Sequence, residues 1–316
     1  MKDYEKNILT LLKNQFTNIV GERQFQNTSE TRVFYLEKFE DNLYLPMSAG
    51  AKAAYGQGSG SEISSGKMNA LRSSSALTYN LFWDQIAEIT NAQNEVIGNG
   101  VYQVEFEKQY HTLKPSVSNF PANLDAFLYC KHTKEAIACE MKMAEWLLNE
   151  PGTLKPAYLN PESYIEPEAG KTFAAVAKSL IANFDDVDPT LKDARYSGTT
   201  TRYDAFQMFK HAVACYTACV KEESREIRKL TLVNCVWTIP YPDLLEPENR
   251  QRYIHEEELE HREFQQFKEA MVPVKALFAA KGISFDICFY TFSNFLRLLH
   301  KTDEELHYLR RYTFQP

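Results

Sequence analysis

The sequence predicts an α/β fold in which a mixed central sheet is flanked by helices, and two patterns predict it. In several long segments apolar residues recur every three or four positions, as on one face of a helix. Other segments are short runs rich in β-branched and aromatic residues, bounded by turn-forming residues, as in strands. In chain order the core segments are helix, three strands, helix, strand, helix and strand, and this order favours helices packed on a sheet.

Chain length and composition indicate a folded protein. The 316 residues are 44% hydrophobic and 24% charged and include 20 Phe and 18 Tyr, which is ample material for a packed core. One large domain with insertions accommodates this length as readily as two small domains. We expect a helical N-terminal elaboration over residues 1–55, packed on a main domain over 56–316 that carries a surface insertion near 152–198.

Two helices separated by a loop are predicted in the N-terminal part. Residues 4–19 have the apolar spacing of an amphipathic helix that docks on the main domain. Residues 47–66 are rich in Ala, Gly and Ser, which predicts a loop, because glycine weakens the interior of regular elements. Residues 68–89 return to the helical spacing and are predicted as the first helix of the core.

Three strands are predicted next. Residues 101–110 interleave apolar and polar side chains, whereas 124–129 and 136–141 are nearly all apolar, as in strands buried on both faces. The polar segment 131–135 between the last two has the length of a hairpin connection. These two strands are therefore expected to be neighbours.

Helices and strands alternate in the C-terminal half. Inside the insertion, which is rich in Pro, Gly, Asn and Asp, residues 173–181 form a short helical patch. A long helix is predicted over 201–226, and a β-branched run over 230–239 that ends at a proline predicts a buried strand. A charged amphipathic helix over 256–281 and a closing strand over 284–290 complete the order.

Cysteine usage and hydropathy favour a reducing compartment. The six cysteines stand singly among apolar residues, without the paired spacing of a zinc site or the density of a disulfide scaffold. No uncharged apolar stretch reaches the roughly 18 residues of a membrane helix, and the N-terminus lacks the apolar core of a signal peptide. We therefore expect a cytoplasmic protein with no membrane partner.

Two carboxylates and one ammonium group are expected to converge at one end of the predicted hairpin. Asp125 enters one apolar strand, and Glu140 and Lys142 lie at the end of the next. Because side chains alternate along a strand, Glu140 and Lys142 face one side while Met141 faces the other. This is the only triplet in the chain with an acidic first residue and a lysine third. Charges at the end of an apolar run are costly unless they are partnered.

Such a group suits metal-assisted hydrolysis of a phosphodiester. Carboxylates bind Mg²⁺ while leaving waters on it, and the metal lowers the pKa of an attacking water and stabilises the leaving oxygen. Lys142 would hold or activate that water and offset charge on the pentacovalent phosphorus. The alternative is a solvated strand end, with Asp125 in a turn and Glu140 and Lys142 as a surface pair.

These motifs and the element order resemble the PD-(D/E)XK nuclease superfamily, whose core has the restriction-endonuclease-like αβββαβ fold. Four short motifs resemble those of bacterial proteins classed as restriction endonucleases: residues 71–82, Phe106-Glu107, Asn123-Leu124-Asp125 and residues 140–145. The resemblance spans roughly residues 56–292. It implies a metal-dependent DNA endonuclease of restriction or defence type that cuts double-stranded DNA with Mg²⁺ (or Mn²⁺) as cofactor.

The resemblance also implies roles for individual residues. Asp125 and Glu140 match the metal-binding acids, and Lys142 matches the catalytic lysine. Glu62 resembles the acid that the superfamily often supplies from its first helix to the metal cluster; the alternative is an exposed loop acid. Glu107 is a further candidate for the cluster, with a solvent-facing strand glutamate as the alternative.

Polar residues of two helices complete the candidate site. Gln207 resembles the polar helix residue that superfamily members place near the active site, and it shares a helix face with His211, beside Lys210. Glu145 would support the site indirectly. The alternative is an ordinary polar helix face for Gln207 and His211, and a surface acid that opens a helix for Glu145. The proline expected directly before the first acid is absent, because Leu124 occupies that position.

Two other patterns are interpreted as structural. Residues 253–267 contain two histidines and a run of glutamates, but not the His-Glu-x-x-His spacing of zinc proteases, so a solvated helix face is expected there. The glycines of 56–60 lack the Rossmann spacing, and no Gly-x-x-x-x-Gly-Lys-Ser/Thr motif is present. No nucleotide cofactor site is therefore predicted.

The formal net charge of −7 conflicts with a DNA partner, because neutralising phosphates needs a basic surface. A local Lys/Arg track and metal-bound carboxylates can nevertheless coexist with an acidic total. Three functions remain: an active Mg²⁺-dependent endonuclease, a noncatalytic or partner-dependent DNA-binding module on the same fold, and a nuclease acting on RNA or branched DNA. A homodimer is expected if both strands of a duplex are cut.

Overall fold

The structure is a computed structural model that describes residues 3–26, 33–57, 62–90, 92, 96–118, 120–148, 153–184 and 202–314. The described residues form ten α-helices: α1 (Asp3–Val20), α2 (Ala49–Gln57), α3 (Ser74–Leu81), α4 (Glu145–Leu148), α5 (Pro167–Phe184), α6 (Ala205–Thr217), α7 (Pro247–Ala270), α8 (Val272–Ala280), α9 (Phe292–Leu296) and α10 (Asp303–Thr313). They also form six strands: β1 (Ile86–Ile89), β2 (Gly100–Tyr110), β3 (Ala122–Cys130), β4 (Glu135–Lys142), β5 (Lys229–Val236) and β6 (Ser284–Thr291).

The six strands belong to one mixed sheet, in the order β1-β2-β3-β4-β5-β6. Strands β1 to β4 are antiparallel neighbours, whereas β5 is parallel to β4, and β6 is parallel to β5. The predicted hairpin is present, since Cys130 pairs with Glu135 and Ala126 with Cys139. The predicted α/β class with a mixed sheet is therefore confirmed.

Burial distinguishes the central strands from the first two. β4 and β5 are buried along nearly their whole length, which suits apolar strands covered on both faces. β1 and much of β2 instead alternate exposed and buried residues, as strands with one solvated face do. The centre of the sheet thus lies between two layers of helices.

Helices cover both faces of the sheet and form a separate apolar core on each. One core contains Ile8, Tyr55 and Leu77 and is built from α1, α2, α3, α9 and α10. The other contains Phe173 and Phe209 and is built chiefly from α5, α6, α7 and α8. In the described parts of the chain, no helix combines the length and apolar character needed to cross a membrane.

Residues 47–66 contain a helix, α2, where a loop is predicted. Ser48 Oγ accepts the backbone N–H of Ala51 at 3.1 Å, and the alanine-rich run that follows has high helix propensity. Tyr55 anchors this helix, because it is fully buried and its ring packs against Phe106 with centroids 5.3 Å apart. Residues 58–61 lie outside the described residues.

The helix predicted over residues 68–89 is too long. α3 begins after Ser73, whose Oγ accepts the backbone N–H of Ala76 at 3.2 Å, and it ends at Leu81. Gln85 then adopts a φ of 60°, which is incompatible with a right-handed helix. The residues that follow form β1 and pair with β2. The sheet therefore has four consecutive antiparallel strands where three strands are predicted.

Two helices of the C-terminal half also differ from the prediction. α6 covers only the first part of the helix predicted over 201–226, and a π-helical turn follows it. The helix predicted over 256–281 starts earlier and is split at Met271. Pro273 explains the split, because proline lacks an N–H and fits only the first turn of a new helix, here α8.

The other predicted elements are confirmed. α1 covers the N-terminal helix, and β2, β3, β4 and β6 cover four of the five predicted strands. β5 matches the fifth, predicted over 230–239, but it ends earlier, at Val236. α1 packs along α10 and donates a hydrogen bond from Gln15 Nε2 to Arg310 O at 3.2 Å. α5 contains the short helical patch predicted inside the insertion and extends it at both ends. Residues 185–198 of the insertion lie outside the described part of the chain.

Glu223 links β2 to the segment that precedes β5 and forms an ion pair within that segment. Glu223 accepts hydrogen bonds from Tyr110 Oη at 2.7 Å and from Arg225 Nη2 at 2.5 Å. Arg225 also covers the ring of Tyr129, with its guanidinium carbon 5.0 Å from the ring centroid. Burial alone would raise the pKa of Glu223, but these donors lower it to about 2.

Glu223→Gln tests this ion pair through pH. Because its pKa is lower in the folded chain, ionised Glu223 stabilises the fold above about pH 4.5, and this contribution is lost as the pH falls towards 2. We predict that the substitution lowers the free energy of unfolding by about 1–2 kcal/mol at pH 7, and by much less near pH 2.5, in urea denaturation. Exposed Glu226→Gln is the control and should change little. Equal losses at both pH values would contradict this interpretation.

Candidate active site

The carboxylates of Asp125 and Glu140 lie where β3 and β4 run side by side. At this end of the hairpin the last paired residues are Ala126 and Cys139, and Asp125 and Glu140 come one position further on. Asp125 Oδ2 accepts the backbone N–H of Met141 at 2.7 Å. The hairpin therefore brings the two acids together, as the sequence predicts.

Glu140 is the centre of a buried polar cluster. Its Oε1 lies 2.8 Å from Lys142 Nζ and accepts a hydrogen bond from Gln207 Nε2 at 2.8 Å. Its Oε2 lies 2.8 Å from His211 Nε2. Gln207 Oε1 in turn accepts a hydrogen bond from Lys142 Nζ at 2.6 Å. Glu140 and Lys142 thus share a face of β4, while Met141 enters the opposite core. A solvated strand end is excluded, because the Glu140 side chain is only 4% exposed.

The start of α6 is fixed by a cap. Asp204 Oδ1 accepts the backbone N–H of Gln207 at 2.9 Å, which satisfies one of the free donors at the helix N-terminus. His211 lies one turn further along and faces the same way, so that both side chains reach Glu140. The negative charge of Asp204 also acts on Lys142 and favours its charged form.

Buried glutamates of α7 hold the chain just before that cap. Glu263 Oε2 accepts the backbone N–H groups of Arg202 and Tyr203 at 2.7 and 2.9 Å, and Glu256 Oε1 lies 2.6 Å from Arg202 Nη2. The solvated face predicted for this helix is wrong, because Glu256 is 0% and Glu260 1% exposed. Arg202 comes from a segment that is remote in sequence and pairs with Glu256, and this partner accounts for the burial of the Glu256 carboxylate.

Glu107 lies opposite Asp125 on β2, at a distortion of the strand. Its two chain neighbours pair in the ladder with the neighbours of Asp125, whereas Glu107 itself has a φ of 50°, in the left-handed region. Its Oε2 accepts a hydrogen bond from Asn123 Nδ2 at 3.0 Å. Glu107 is half-buried and faces the acidic cluster rather than open solvent.

Glu62 lies near Glu107 at the edge of the same group. Its Oε1 is 3.1 Å from Lys67 Nζ, and its side chain is 15% exposed, so it is not an exposed loop acid. The charge of Glu62 acts on Glu107 and raises the pKa of that carboxyl. Glu62 and Glu107, the two candidates for a third metal-binding acid, therefore both lie on the β2 side of Asp125.

Glu145 and Lys210 lie at the border of the site. Glu145 opens α4, and its Oε2 accepts the backbone N–H of Met143 at 2.6 Å. A side-chain hydrogen bond with Ser74 links it to α3. Glu145 therefore ties the end of β4 to the first helix of the core. It opens a helix, but it is half-buried and not the surface acid of its alternative interpretation. Lys210 lines a cavity beside the cluster.

Burial and mutual repulsion shift the ionisation of the acids. Burial, with the charges of Glu140 and Glu107, raises the pKa of Asp125 well above its ordinary value. Burial, with the charge of Glu62, raises the pKa of Glu107 to about 8. Burial alone would also raise the pKa of Glu140, but Lys142 and the neighbouring imidazole hold it below its ordinary value. Glu140 and Lys142 therefore form an ion pair, and Glu62 pairs with Lys67, whereas the described residues provide no salt-bridge partner for Asp125 or Glu107.

The chemistry of these donors fits a divalent cation. Carboxylate oxygens are the ligands that Mg²⁺ prefers, and a cation would relieve the repulsion at Asp125 and Glu107. Glu140, by contrast, has both oxygens in contact with protein side chains. Within the described ranges, no three His, Cys, Asp or Glu side chains are arranged as a ready metal site. Binding through Asp125 and Glu140 would therefore require Glu140 to exchange some of its present contacts.

Two polar neighbours of the cluster are not among the predicted site residues. Asp204 stands directly before α6, and this helix-capping pattern could have identified it. Asn234 of β5 is buried and pairs in register with Glu140. Only the alignment of β4 with β5 brings Asn234 to the site, and a local sequence pattern does not contain that alignment.

Comparison with known proteins assigns no family to the chain. No protein-family model matches it, and no match was found among curated proteins or solved structures. Function is therefore inferred from the residues of the site.

Divalent cations are expected to stabilise the folded chain through Asp125. Mg²⁺ at ten times its dissociation constant adds about 1.4 kcal/mol to the free energy of unfolding, which corresponds to roughly 2 °C in melting temperature. We predict this shift for the wild type at pH 8 in scanning fluorimetry, and its loss in Asp125→Asn. Asp243→Asn, at a residue whose side chain is 88% exposed, should keep the shift. An undiminished shift in Asp125→Asn would show that the cation binds elsewhere.

Proposed function

We propose that this chain is a metal-dependent nuclease of the PD-(D/E)XK type that hydrolyses phosphodiester bonds of DNA. The observation that carries the proposal is the contact among Glu140, Lys142 and Gln207 beside the half-buried carboxylate of Asp125. The order α3, β2, β3, β4, α6, β5 supports the αβββαβ core of that superfamily, with β1 and β6 as additional strands.

Asp125 and Glu140 are the residues that would hold Mg²⁺ or Mn²⁺, with Glu107 or Glu62 completing the set. When bound, the cation would lower the pKa of a water and offset negative charge on the phosphate. Asp125 is oriented for this task by the backbone N–H of Met141. Glu107 is held at its strand distortion and directed towards the same acids.

Lys142 would stabilise the charge that develops on the phosphate. In hydrolysis the water oxygen loses a proton and bonds to phosphorus, while the bond to the leaving sugar oxygen breaks and that oxygen gains a proton. Negative charge builds on the phosphoryl oxygens in between. Burial alone would lower the pKa of Lys142, but Glu140 and Asp204 raise it above its ordinary value. Lys142 therefore offers a permanent ammonium group rather than a base, and Gln207 Oε1 fixes its position.

Double-stranded DNA is the proposed substrate of this site. Lys155 and Lys210 line the cavity next to the cluster and supply local positive charge in a chain whose net charge is −7. Two copies of the chain related by a two-fold axis would provide one centre for each strand, so we propose a homodimer as the cutting species.

A second candidate function is a noncatalytic or partner-dependent DNA-binding module on the same fold. The state of Glu140 favours it, because both oxygens contact Lys142, Gln207 and His211, as in a structural ion pair. RNA or branched DNA as substrate would keep the chemistry of the first candidate and change only the target.

Cleavage of plasmid DNA by the purified protein in Mg²⁺ or Mn²⁺ tests the proposal. We predict metal-dependent cutting that falls at least about 100-fold in Glu140→Gln and in Lys142→Ala, since each removes a charge that acts in the transition state. The matched controls are Glu168→Gln and Lys171→Ala, because these residues form an exposed Glu–Lys pair on α5, with side chains 86% and 64% exposed.

The controls should cut at the wild-type rate. Tight DNA binding without any cutting, unaffected by either substitution at Glu140 or Lys142, would favour the noncatalytic module. Cutting of RNA or branched DNA alone, with the same dependence on Glu140 and Lys142, would retain the mechanism and replace the substrate.

Gln207→Ala tests whether this residue positions Lys142. The substitution removes the acceptor for Lys142 Nζ and the donor to Glu140 at once. We predict that kcat falls about tenfold while KM changes by less than about twofold, as for groups that orient the reacting residues. Steady-state cleavage kinetics on an oligonucleotide measure both constants. A raised KM with unchanged kcat would instead make Gln207 a DNA-binding residue.

A further inference from the structure

A cavity of about 320 Å³ opens beside the candidate active site. Gln207 and His211, which contact Glu140, form part of its wall, so that the cavity and the site share side chains. The rest of the wall combines apolar side chains with hydrogen-bonding ones such as Ser118 and Asn123. A cavity of this size and mixed lining suits a small, flat organic group.

Phe120 is the unusual feature of this cavity. It is 72% exposed, although large apolar rings are ordinarily buried on folding. Lys155 Nζ lies 5.6 Å from the centroid of its ring, and both Lys155 and Lys210 line the cavity. An exposed aromatic ring and two lysines therefore stand around one opening next to the acidic cluster.

We propose that this cavity binds one unpaired nucleobase of the strand whose phosphate lies at the candidate active site. The inference rests on the proposed function and deepens it. Aromatic rings stack on bases of any sequence, and lysines beside them bind the adjoining backbone. A base that remains paired inside a duplex cannot enter such a cavity, so the nucleotide is single-stranded there or is turned out of the helix.

The shared wall connects the base to the cleaved bond. Gln207 lines the cavity and its Oε1 accepts a hydrogen bond from Lys142 Nζ at 2.6 Å. A base stacked on Phe120 in this cavity would therefore have its own backbone close to Lys142 and the carboxylates. The substrate class that follows is double-stranded DNA in which the nucleotide at the cleaved position is unpaired or turned out of the helix.

The fluorescence of 2-aminopurine tests this inference, because the base is quenched when it stacks on an aromatic ring. Single-stranded oligonucleotides carry the probe at successive positions, and Ca²⁺ replaces Mg²⁺ so that binding is measured without cutting. We expect the probe to be quenched when the protein binds, and about tenfold weaker binding in Phe120→Ala, in the range known for base–aromatic stacking. Phe120→Tyr keeps the ring and should bind like the wild type.

Tyr241→Ala is the matched control, because it removes another aromatic ring that is 47% exposed and lies outside the cavity lining. Phe120→Ala should fold normally, since the ring it removes is exposed. Equal affinity and equal quenching in Phe120→Ala and Tyr241→Ala would overturn the inference. Lys155→Ala should weaken binding with a smaller salt dependence, as expected for the loss of a phosphate contact.

The same proteins separate this inference from the proposed nuclease function. If plasmid DNA is cut and Phe120→Ala neither cuts nor binds differently from wild type, only the base-binding inference fails. If nothing is cut, but the oligonucleotides and free dAMP bind in a manner that depends on Phe120, the nuclease proposal fails and base binding stands. If neither cutting nor binding is seen, both are overturned.

Discussion

The contact between Glu140 and Lys142, shared with Gln207, is the interaction on which the rest of the structure depends. Taking two charges out of water costs several kcal/mol per ion, and the pair is tolerated only when further contacts satisfy its remaining atoms. Gln207 and His211 supply these contacts, so α6 has to cross β4 in one register. The cap at Asp204 fixes the start of α6, and the buried acids of α7 hold the chain before it. The ion pair on β4 is thus connected directly to α6, and through the chain before α6 to α7.

Repulsion between neighbouring carboxylates is the second interaction in this site. Asp125 and Glu107 lie beside the ion pair as carboxylates whose pKa values are raised by burial and by neighbouring negative charge. Apolar residues of similar volume would fill such positions without this cost. Buried like charges with perturbed pKa values are typical of sites that bind a cation or carry out acid–base chemistry. Glu140 and Lys142 therefore organise the fold locally as an ion pair. In the proposed function, Asp125 and Glu140 would hold the cation, with Glu107 as a further candidate ligand.

Local patterns in the sequence predict most of the sheet and the assembly of the central residues. Alternation along β4 predicts one face for Glu140 and Lys142, and two apolar runs predict the hairpin that brings Asp125 beside them. The failures depend on contacts between segments, which the periodicity of one segment does not contain. Residues 86–89 follow a helical spacing but pair with the nearby strand β2. The glutamates of α7 are buried because Arg202 reaches them from a segment that is remote in sequence.

The central claim is that Asp125 and Glu140 bind a divalent cation, and a crystal of the protein soaked in Mn²⁺ tests it most directly. We predict an anomalous difference peak about 2.1 Å from an oxygen of each carboxylate. Glu140 should then have given up at least one of its contacts with Lys142, Gln207 and His211. A peak elsewhere, or no peak while Glu140 keeps all three contacts at 2.8 Å, would contradict the claim and leave the cluster as a structural ion pair.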